Sequence, residues 1–504
     1  MGLYDHGIYQ IIKRNARVLN NKIAFIFEEQ RVTYRQLMEH VDRVTCGLIE
    51  VGLEKGDRIG VLAKNSMEYI YLYGAAAKMG AIMLPINWRL NPQEVEYIIS
   101  DGSPKIIFAG SEFQTVINPL ISTFGFIEKY YAIGQGDGSF IPFNKLMKNN
   151  GTCPDFNVHA DDPYLICHTA AVSGKPRGAT LSQRGLIASN LQYMYCWRLT
   201  ERDCNLSIMP LFHIGGLGTC LSVMQAGGVN IILAKFDIDL ALKHIREDKV
   251  TMFGEWPPIL ATILDKAQEA NQDLSRLRIV IGLDNADTIK RFEQVTGGTF
   301  WTLYGQTETS SLVSLAPYSD KPGAAGLPSF LAEVEIMDDC GNILEDRKIG
   351  EIVVRGPLVF RGYWNLEKDN EYVFRDGWHH TGDLGMFDSD GYLWYKGRKA
   401  ERELIKPGGE NVFPAEVENV ILEHPFIEET SVIGVPDKQW GEAIKAICVL
   451  KKGASLNETE LIEFVAARIA RYKKPKYVVF VSNLVKTKDG LIDRERVKAE
   501  YGSA

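Results

Sequence analysis

The sequence predicts an α/β protein, with a large N-terminal domain of doubly wound, mostly parallel sheets and a small α+β domain at its C-terminus. Short apolar runs alternate with helical patterns along most of the chain, as in strand–helix–strand units. A length of 504 residues exceeds what one core usually supports. A charged run that ends at Pro407-Gly408-Gly409 marks a boundary. We therefore predict domains at 1–402 and 403–504.

The first hundred residues already show this alternation. Asn91 can cap a helix that has Pro92 at its first position and Glu94 at the capping-box position. The predicted helices are 33–48, 65–80 and 91–99, and the predicted strands are 58–62, 81–85 and 105–109. After the boundary, helices are expected at 415–422 and 458–469, and strands at 427–435 and 443–450.

A loop rich in small residues is the strongest chemical signal. The apolar run 164–167 is followed by T-A-A-V-S-G-K-P-R-G at 169–178, and Ser182 can then cap a helix. Small residues let backbone N–H groups approach an anion, and Lys175 and Arg177 would neutralise it. Strand, loop and helix thus favour a phosphate site, although the loop is not a Walker A motif. A tight surface turn explains the same loop equally well when it is taken alone.

Three further stretches carry polar groups among apolar residues. His213 follows M-P-L-F and, taken alone, fits a buried core histidine better than a functional one. The stretch 301–308 ends a strand with Tyr304, Thr307 and Glu308, which could stack a base and hold Mg²⁺, or form an ordinary strand end. Asp383 could bind a ribose diol or belong to a turn.

Composition excludes several classes of protein. The net charge of -8 argues against general nucleic-acid binding. Eight scattered cysteines without paired spacing indicate reduced thiols, and the charged residues near the start leave no apolar core for a secretory signal. The apolar stretch 69–84 is interrupted by Lys78 and is too short to span a membrane. We expect a cytoplasmic protein with no integral membrane segment.

Seven motifs in order resemble the adenylate-forming superfamily of acyl-CoA synthetases, stand-alone adenylation domains and firefly luciferase. They lie at 169–178, 210–213, 304–308, 350–352, 381–383, 397–398 and 408–409, so the resemblance covers nearly the whole chain. It implies that a small carboxylic acid reacts with Mg·ATP to give an acyl-adenylate, and that CoA then displaces AMP. It also implies that the small domain is mobile and rotates between the two steps, and it leaves a homodimer open.

The resemblance assigns roles to individual residues. His213, Thr307, Glu308 and Arg177 would be catalytic, with Glu308 as the Mg²⁺ ligand. The CoA thiol arm would pass Gly408 and Gly409, the acyl pocket would include His213, Trp256 and Gly282, and Glu403 would be the hinge. The ATP site would comprise Thr169, Ser173, Gly174, Lys175, Arg177, Tyr304, Gly305, Gln306, Thr307, Asp383 and Arg398.

The sequence departs from the family pattern in three places. Ala170, Ala171 and Val172 replace a serine, a glycine and a threonine of the loop, and about two extra residues precede Gly408. Leu491 stands where the family has the lysine that stabilises the adenylation transition state. These changes keep open a degenerate nucleotide- or acyl-binding protein. An adenylation enzyme that loads a carrier protein is a second alternative.

Trp256 is the only residue whose type indicates the size of the acyl group. A tryptophan at this position would narrow or shorten the pocket, which favours an aromatic, alicyclic or short-to-medium acid over a very long chain. Ordinary core packing explains Trp256 equally well.

The Leu491→Lys variant tests the third departure. Removal of one preorganised donor typically costs on the order of 10²–10³ in rate, so the lysine should speed the reaction of acid with ATP by about that factor. The reaction of a synthetic acyl-adenylate with CoA should stay nearly unchanged. An equal response of both reactions, or of neither, would show that Leu491 does not occupy the lysine position.

Overall fold

The computed structural model describes residues 5–169, 175–399, 404–486 and 492–503. Four predicted functional positions, Ser173, Gly174, Glu403 and Leu491, lie outside these ranges.

The helices occur along both domains. They are α1 Ile8–Val18, α2 Tyr34–Glu50, α3 Met67–Met79, α4 Pro92–Gly102, α5 Gln114–Ile117, α6 Gln183–Cys196, α7 Ile214–Ala226, α8 Ile238–Glu247, α9 Ile259–Glu269, α10 Ala286–Thr296, α11 Glu367–Val373, α12 Pro414–Leu422, α13 Glu458–Ala466 and α14 Arg494–Tyr501.

The strands lie between them. They are β1 Ile23–Phe27, β2 Gln30–Thr33, β3 Arg58–Leu62, β4 Ile82–Pro85, β5 Ile106–Gly110, β6 Lys129–Ile133, β7 Ile141–Pro142, β8 Pro163–Thr169, β9 Arg177–Ser182, β10 Cys204–Ser207, β11 Val229–Ile232, β12 Met252–Glu255, β13 Ile279–Gly282, β14 Thr299–Gln306, β15 Ser311–Pro317, β16 Leu327–Pro328, β17 Glu333–Met337, β18 Gly350–Arg355, β19 Phe374–Arg375, β20 Trp378–Phe387, β21 Leu393–Arg398, β22 Ile427–Asp437, β23 Gly441–Leu450 and β24 Tyr477–Val481.

Two large, mostly parallel sheets form the core of the N-terminal domain. One has the order β7-β6-β5-β3-β4-β8-β9 and the other β16-β15-β14-β13-β12-β10-β11-β1-β2. Residues of α1, α2, α3 and α7 pack into one apolar cluster with residues of both sheets. The prediction of a large α/β domain is thereby confirmed.

Two smaller sheets complete the fold. Strands β17 to β21 form an antiparallel sheet that the sequence reading did not foresee. In the small domain β22, β23 and β24 form a sheet that buries its apolar face against α12 and α13. This is the predicted α+β domain.

Local sequence signals account for several boundaries. Asn91 accepts a hydrogen bond from the Glu94 backbone, and Glu94 accepts one from the Asn91 backbone, so α4 begins with the predicted capping box. Ser182 caps α6 by accepting a hydrogen bond from the Gly185 N–H.

The segment that follows the predicted phosphate loop differs from the predicted strand–loop–helix arrangement. Residues 177–182 form β9, which pairs antiparallel with β8, so the loop joins the two strands of a hairpin. Gly178 fits here because a Cβ at this position would lie 2.7 Å from Cγ2 of Ile166. Arg177 is therefore fixed on a strand, opposite Thr169.

Candidate active site

A cavity of about 350 Å³ lies between the ends of the strands of the large domain and a segment of the small domain. Thr169, Glu255, Gly282 and Gln306 end β8, β12, β13 and β14, at the edge where open α/β sheets bind ligands. The predicted site residues that line it are Thr169, Arg177, His213, Trp256, Gly282, Gly305, Gln306, Thr307, Glu308, Arg398 and Gly409.

Glu308 is a buried carboxylate at the centre of this site. Its Oε1 accepts hydrogen bonds from the Tyr363 hydroxyl at 2.8 Å and from the Thr169 hydroxyl at 3.4 Å. Burial opposes ionisation, but Tyr363, His379 and Arg177 outweigh it, so the pKa of Glu308 lies below its ordinary value. The site therefore holds a negative charge at neutral pH.

Tyr363 is a functional residue that the sequence reading missed. Its hydroxyl accepts a hydrogen bond from Nη2 of Arg177 at 3.1 Å, and the Arg177 guanidinium lies 4.0 Å from the ring centroid. Asp369 binds Nη1 of Arg177 at 2.9 Å. The sequence around Tyr363, G-Y-W-N at 362–365, gives no signal of these contacts.

The residues predicted to bind adenine and ribose are linked to one another. The Tyr304 hydroxyl and the Gln306 amide both donate to Oδ2 of Asp383, at 2.8 and 2.6 Å. Nε of Arg398 lies 2.8 Å from the other oxygen of Asp383. Gln306 and Arg398 line the cavity, whereas Tyr304 and Asp383 are not among the residues that line it.

Lys175 does not line this cavity. It is exposed, and its Nζ lies 5.7 Å from the ring centroid of Tyr97.

Glu351 anchors the strand β20, which carries Asp383. Its Oε1 accepts the Gly382 N–H at 2.8 Å, and its Oε2 lies 3.0 Å from Nδ1 of His380. Burial raises the pKa of this carboxyl, but His380, Gly382 and Lys399 lower it to about 2. The acidic residue of the motif at 350–352 thus has a structural role.

His213 begins α7 and faces the cavity. Its Nδ1 accepts a hydrogen bond from the Gly215 N–H at 3.1 Å, so Nε2 carries the proton of the neutral ring. The ring meets Trp256 edge to face, with centroids 6.4 Å apart. Burial, together with the charges of Arg89 and Lys406, lowers the pKa of His213 to about 4. The ring is therefore neutral at physiological pH.

The small domain closes the cavity with a glycine loop. Gly408 and Gly409 have positive φ angles of 58° and 81°. A Cβ on Gly409 would lie 2.8 Å from Cγ of Trp256, and a Cβ on Gly408 would lie 2.8 Å from Cε3 of Trp440. Glycine is therefore required by both backbone conformation and space.

The small domain also contributes side chains that the sequence reading missed. Lys406 lines the cavity, and burial and the charge of Arg398 lower its pKa. The other residues of the small domain that line the cavity are Leu404, Asn411, Phe413, Trp440, Gly441 and Glu442. They depend on how the two domains meet, which no local pattern reports.

Comparison with protein-family models identifies the chain. Residues 12–364 match the AMP-binding enzyme model, and residues 416–491 match the AMP-binding enzyme C-terminal domain. The chain belongs to the AMP-binding enzyme family. The resemblance to adenylate-forming acyl-CoA synthetases is thereby confirmed.

Relatives of this AMP-binding enzyme are named CoA ligases. Indoleacetate–CoA ligase of Aromatoleum aromaticum is 32% identical and covers 97% of this chain and 96% of its own. A provisionally named long-chain-fatty-acid CoA ligase from Rhodopseudomonas palustris is 43% identical, with a TM-score of 0.76 over 79% of this chain and 100% of its own. A double mutant of o-succinylbenzoate CoA synthetase from Bacillus subtilis, bound with a product analogue, is 28% identical, with a TM-score of 0.86 over 98% of both chains.

Two further observations bear on chemistry and environment. In the described ranges no helix is long and apolar enough to cross a membrane. All eight cysteines lie within those ranges and are free thiols.

We predict that His213 of this AMP-binding enzyme does not titrate between pH 5.5 and 8. The folded ring has a pKa of about 4 against an ordinary value of 6.5, so the unfolded chain binds the proton more readily. Stability should thus fall as the pH drops from about 6.5 toward 4, and His213→Asn should reduce this loss. Histidine NMR titration, with the variant to assign the signal, checks this. A His213 signal that titrates near 6.5 would contradict it.

Proposed function

We propose that this protein is an AMP-forming carboxylate–CoA ligase that acts on an aromatic or short acid in two steps. One observation carries the proposal: a single cavity joins the anion-binding residues, the apolar pocket at Trp256 and the glycine loop of the small domain. An enzyme that activates an acid with ATP and transfers it to a thiol needs these three parts in contact.

In the first step an oxygen of the substrate carboxylate attacks the α-phosphorus of ATP, and the bond to pyrophosphate breaks. Negative charge builds on phosphate oxygens, so the catalytic need is for fixed donors and cations. Arg177 and Arg398 supply cations at the cavity wall, and the Thr307 hydroxyl lies at the end of β14. Arg177 is held by Tyr363 and Asp369, so little reorganisation is needed.

The residues present also fit Mg²⁺. Glu308 is ionised and buried, and the Thr169 hydroxyl lies beside it, which gives the oxygen ligands that this ion prefers. No group of three or more His, Cys, Asp or Glu residues that could hold a metal occurs in the described parts of the chain. A single carboxylate, completed by phosphate and water oxygens, is a usual Mg²⁺ arrangement. The ion, when bound, would neutralise phosphate charge.

In the second step the CoA thiolate attacks the acyl carbon, and the bond to AMP breaks. Gly409 lies against Trp256, and a narrow cavity of about 90 Å³ lined by Gly409 and Tyr472 leads to His213 and Thr307. This arrangement fits passage of the pantetheine arm. The neutral His213 ring can orient groups through its Nε2–H without adding charge.

The far wall of the cavity limits the acyl group. Tyr193 lines this wall, and its ring stacks on that of Trp197 with centroids 4.2 Å apart. The Tyr193 hydroxyl lies 2.5 Å from the Ser311 hydroxyl. Ser311, the first residue of β15, also lines the cavity. Aromatic walls at Tyr193 and Trp256 support an aromatic or short acid. The relatives named for indoleacetate and o-succinylbenzoate agree with an aromatic acid. The relative from Rhodopseudomonas palustris does not, because its name refers to long-chain fatty acids.

The relatives do not favour the two alternatives. Neither loading of a carrier protein nor ligand binding without turnover matches the names of CoA ligases. A cytoplasmic location and a homodimer stay predictions.

A panel of carboxylic acids tests the function. Purified protein, Mg·ATP and CoA should release AMP in a CoA-dependent reaction that is fastest with aromatic or short acids. AMP release without CoA, or no AMP release with any acid, would overturn the proposal.

We predict that Glu308→Gln weakens Mg²⁺-dependent adenylation, because a charged oxygen is lost at the proposed metal. The Mg²⁺ concentration for half-maximal pyrophosphate exchange should rise at least about 10-fold, and Tyr363→Phe should give a smaller rise. Exposed Glu345 offers the control Glu345→Gln. An unchanged Mg²⁺ requirement in Glu308→Gln would remove Glu308 as the ligand.

We predict that Tyr193→Leu shifts the preference toward longer acids, because the ring limits pocket depth. The ratio of kcat/KM for a longer acid to that for a shorter one should rise by about 10-fold. Tyr195→Leu is the control, since Tyr195 lies on the same helix and is 74% exposed. If both variants keep the wild-type ratio, Tyr193 does not set the depth.

A further inference from the structure

A partly buried carboxylate on α4 of the large domain joins the two domains outside the cavity of about 350 Å³. Oε1 of Glu94 accepts a hydrogen bond from Nζ of Lys473 at 2.5 Å. Oε2 of Glu94 accepts the Ala470 N–H of the small domain at 3.2 Å. One side chain of the large domain thus binds two donors of the small domain, and we call Glu94 and Lys473 the interdomain clamp.

The clamp is enclosed by protein. The Lys473 side chain is 4% exposed and that of Glu94 is 15% exposed. A charge-assisted hydrogen bond at such a place is screened little by water and is stronger than a surface ion pair. It can therefore bias the equilibrium between two domain orientations.

Each partner of the clamp has a second partner in its own domain. Lys473 also binds Oε2 of Glu416, on α12, at 2.6 Å. Glu94 accepts the Asn91 N–H at 3.0 Å in the capping box of α4. Opening the clamp therefore leaves neither the lysine nor the carboxylate without a partner, which avoids the large penalty of an unpaired buried charge. The contact is suited to repeated release.

The position of the clamp links it to the second step. Lys473 lines the narrow cavity that runs past Gly409 to His213. The orientation that the clamp holds is the one with Gly409 against Trp256. Beside it, Arg89 forms an ion pair with Glu410 of the glycine loop.

We propose that Glu94 is a positioning residue for thioester formation, which holds the small domain in the orientation that admits the thiol. This inference rests on the proposed function, since it assumes a second step with CoA. Adenylation, which by resemblance uses the rotated small domain, does not need the clamp.

Glu94→Gln is the appropriate variant. Glutamine also serves at the third position of a capping box, so α4 stays capped, while the charge that binds Lys473 is lost. Glu96→Gln is the matched control, because Glu96 lies on the same helix and no ion pair of its side chain is found among the described residues. Thermal unfolding of both variants reports on the fold.

The two half-reactions are measured separately. Thioester formation from synthetic acyl-adenylate and CoA should fall by about 10-fold in Glu94→Gln, the effect of one charge-assisted hydrogen bond. Acid-dependent pyrophosphate exchange should stay within about 2-fold of wild type, since the clamp is open in that step, and Glu96→Gln should match wild type in both.

Three results would overturn the clamp. They are an equal fall in both half-reactions, no change in either, and a loss of stability that accounts for the fall. Failure of the proposed function looks different, because wild-type protein would then form no thioester from any acyl-adenylate.

Discussion

A buried negative charge at Glu308 is the constraint on which the site depends. A carboxylate in this environment stays ionised only if donors and cations surround it. Its donors come from distant parts of the chain: Thr169 ends β8, and Tyr363 lies 55 residues beyond Glu308. The backbone brings Tyr363 there, because residues 361–364 continue the ladder beside β9 through bonds such as Thr180 N–H to Gly362 O. The ionised state of Glu308 therefore depends on a hydrogen bond from a residue that the sheet holds in place.

The sequence could predict those parts of the fold that local patterns determine. The capping box at Asn91 and Glu94 and the cap at Ser182 placed helix starts correctly, because each needs only a few adjacent residues. The hairpin at β9 was missed because R-G-A-T-L-S has no alternation of apolar and polar residues to mark a strand. Its pairing depends on β8 and on residues 361–364.

The candidate site divides in the same way. Motif order located Thr169, Glu308 and Gly409, and the structure brings all three to one cavity. The sequence did not predict Tyr363 and Lys406 as site residues, because their place in the site arises from tertiary contacts. Tyr304 and Asp383 are predicted to contact the nucleotide, and in this structure they are hydrogen-bonded to each other. Residue type gives the chemistry, whereas orientation decides which groups face the ligand.

Domain orientation also sets the charge of the cavity. Arg177 and Arg398 belong to the large domain, whereas Lys406 enters with the small domain. Desolvation and the charge of Arg398 lower the pKa of Lys406, and a phosphate nearby would favour its charged form. Of the C-terminal motif, the described Lys486 pairs with Glu429 and does not line the cavity. Because an exposed pair of this kind is weak, rotation of the small domain could release it. Rotation of the small domain would therefore carry Lys406 away from Arg177 and Arg398 and change the positive charge of the cavity.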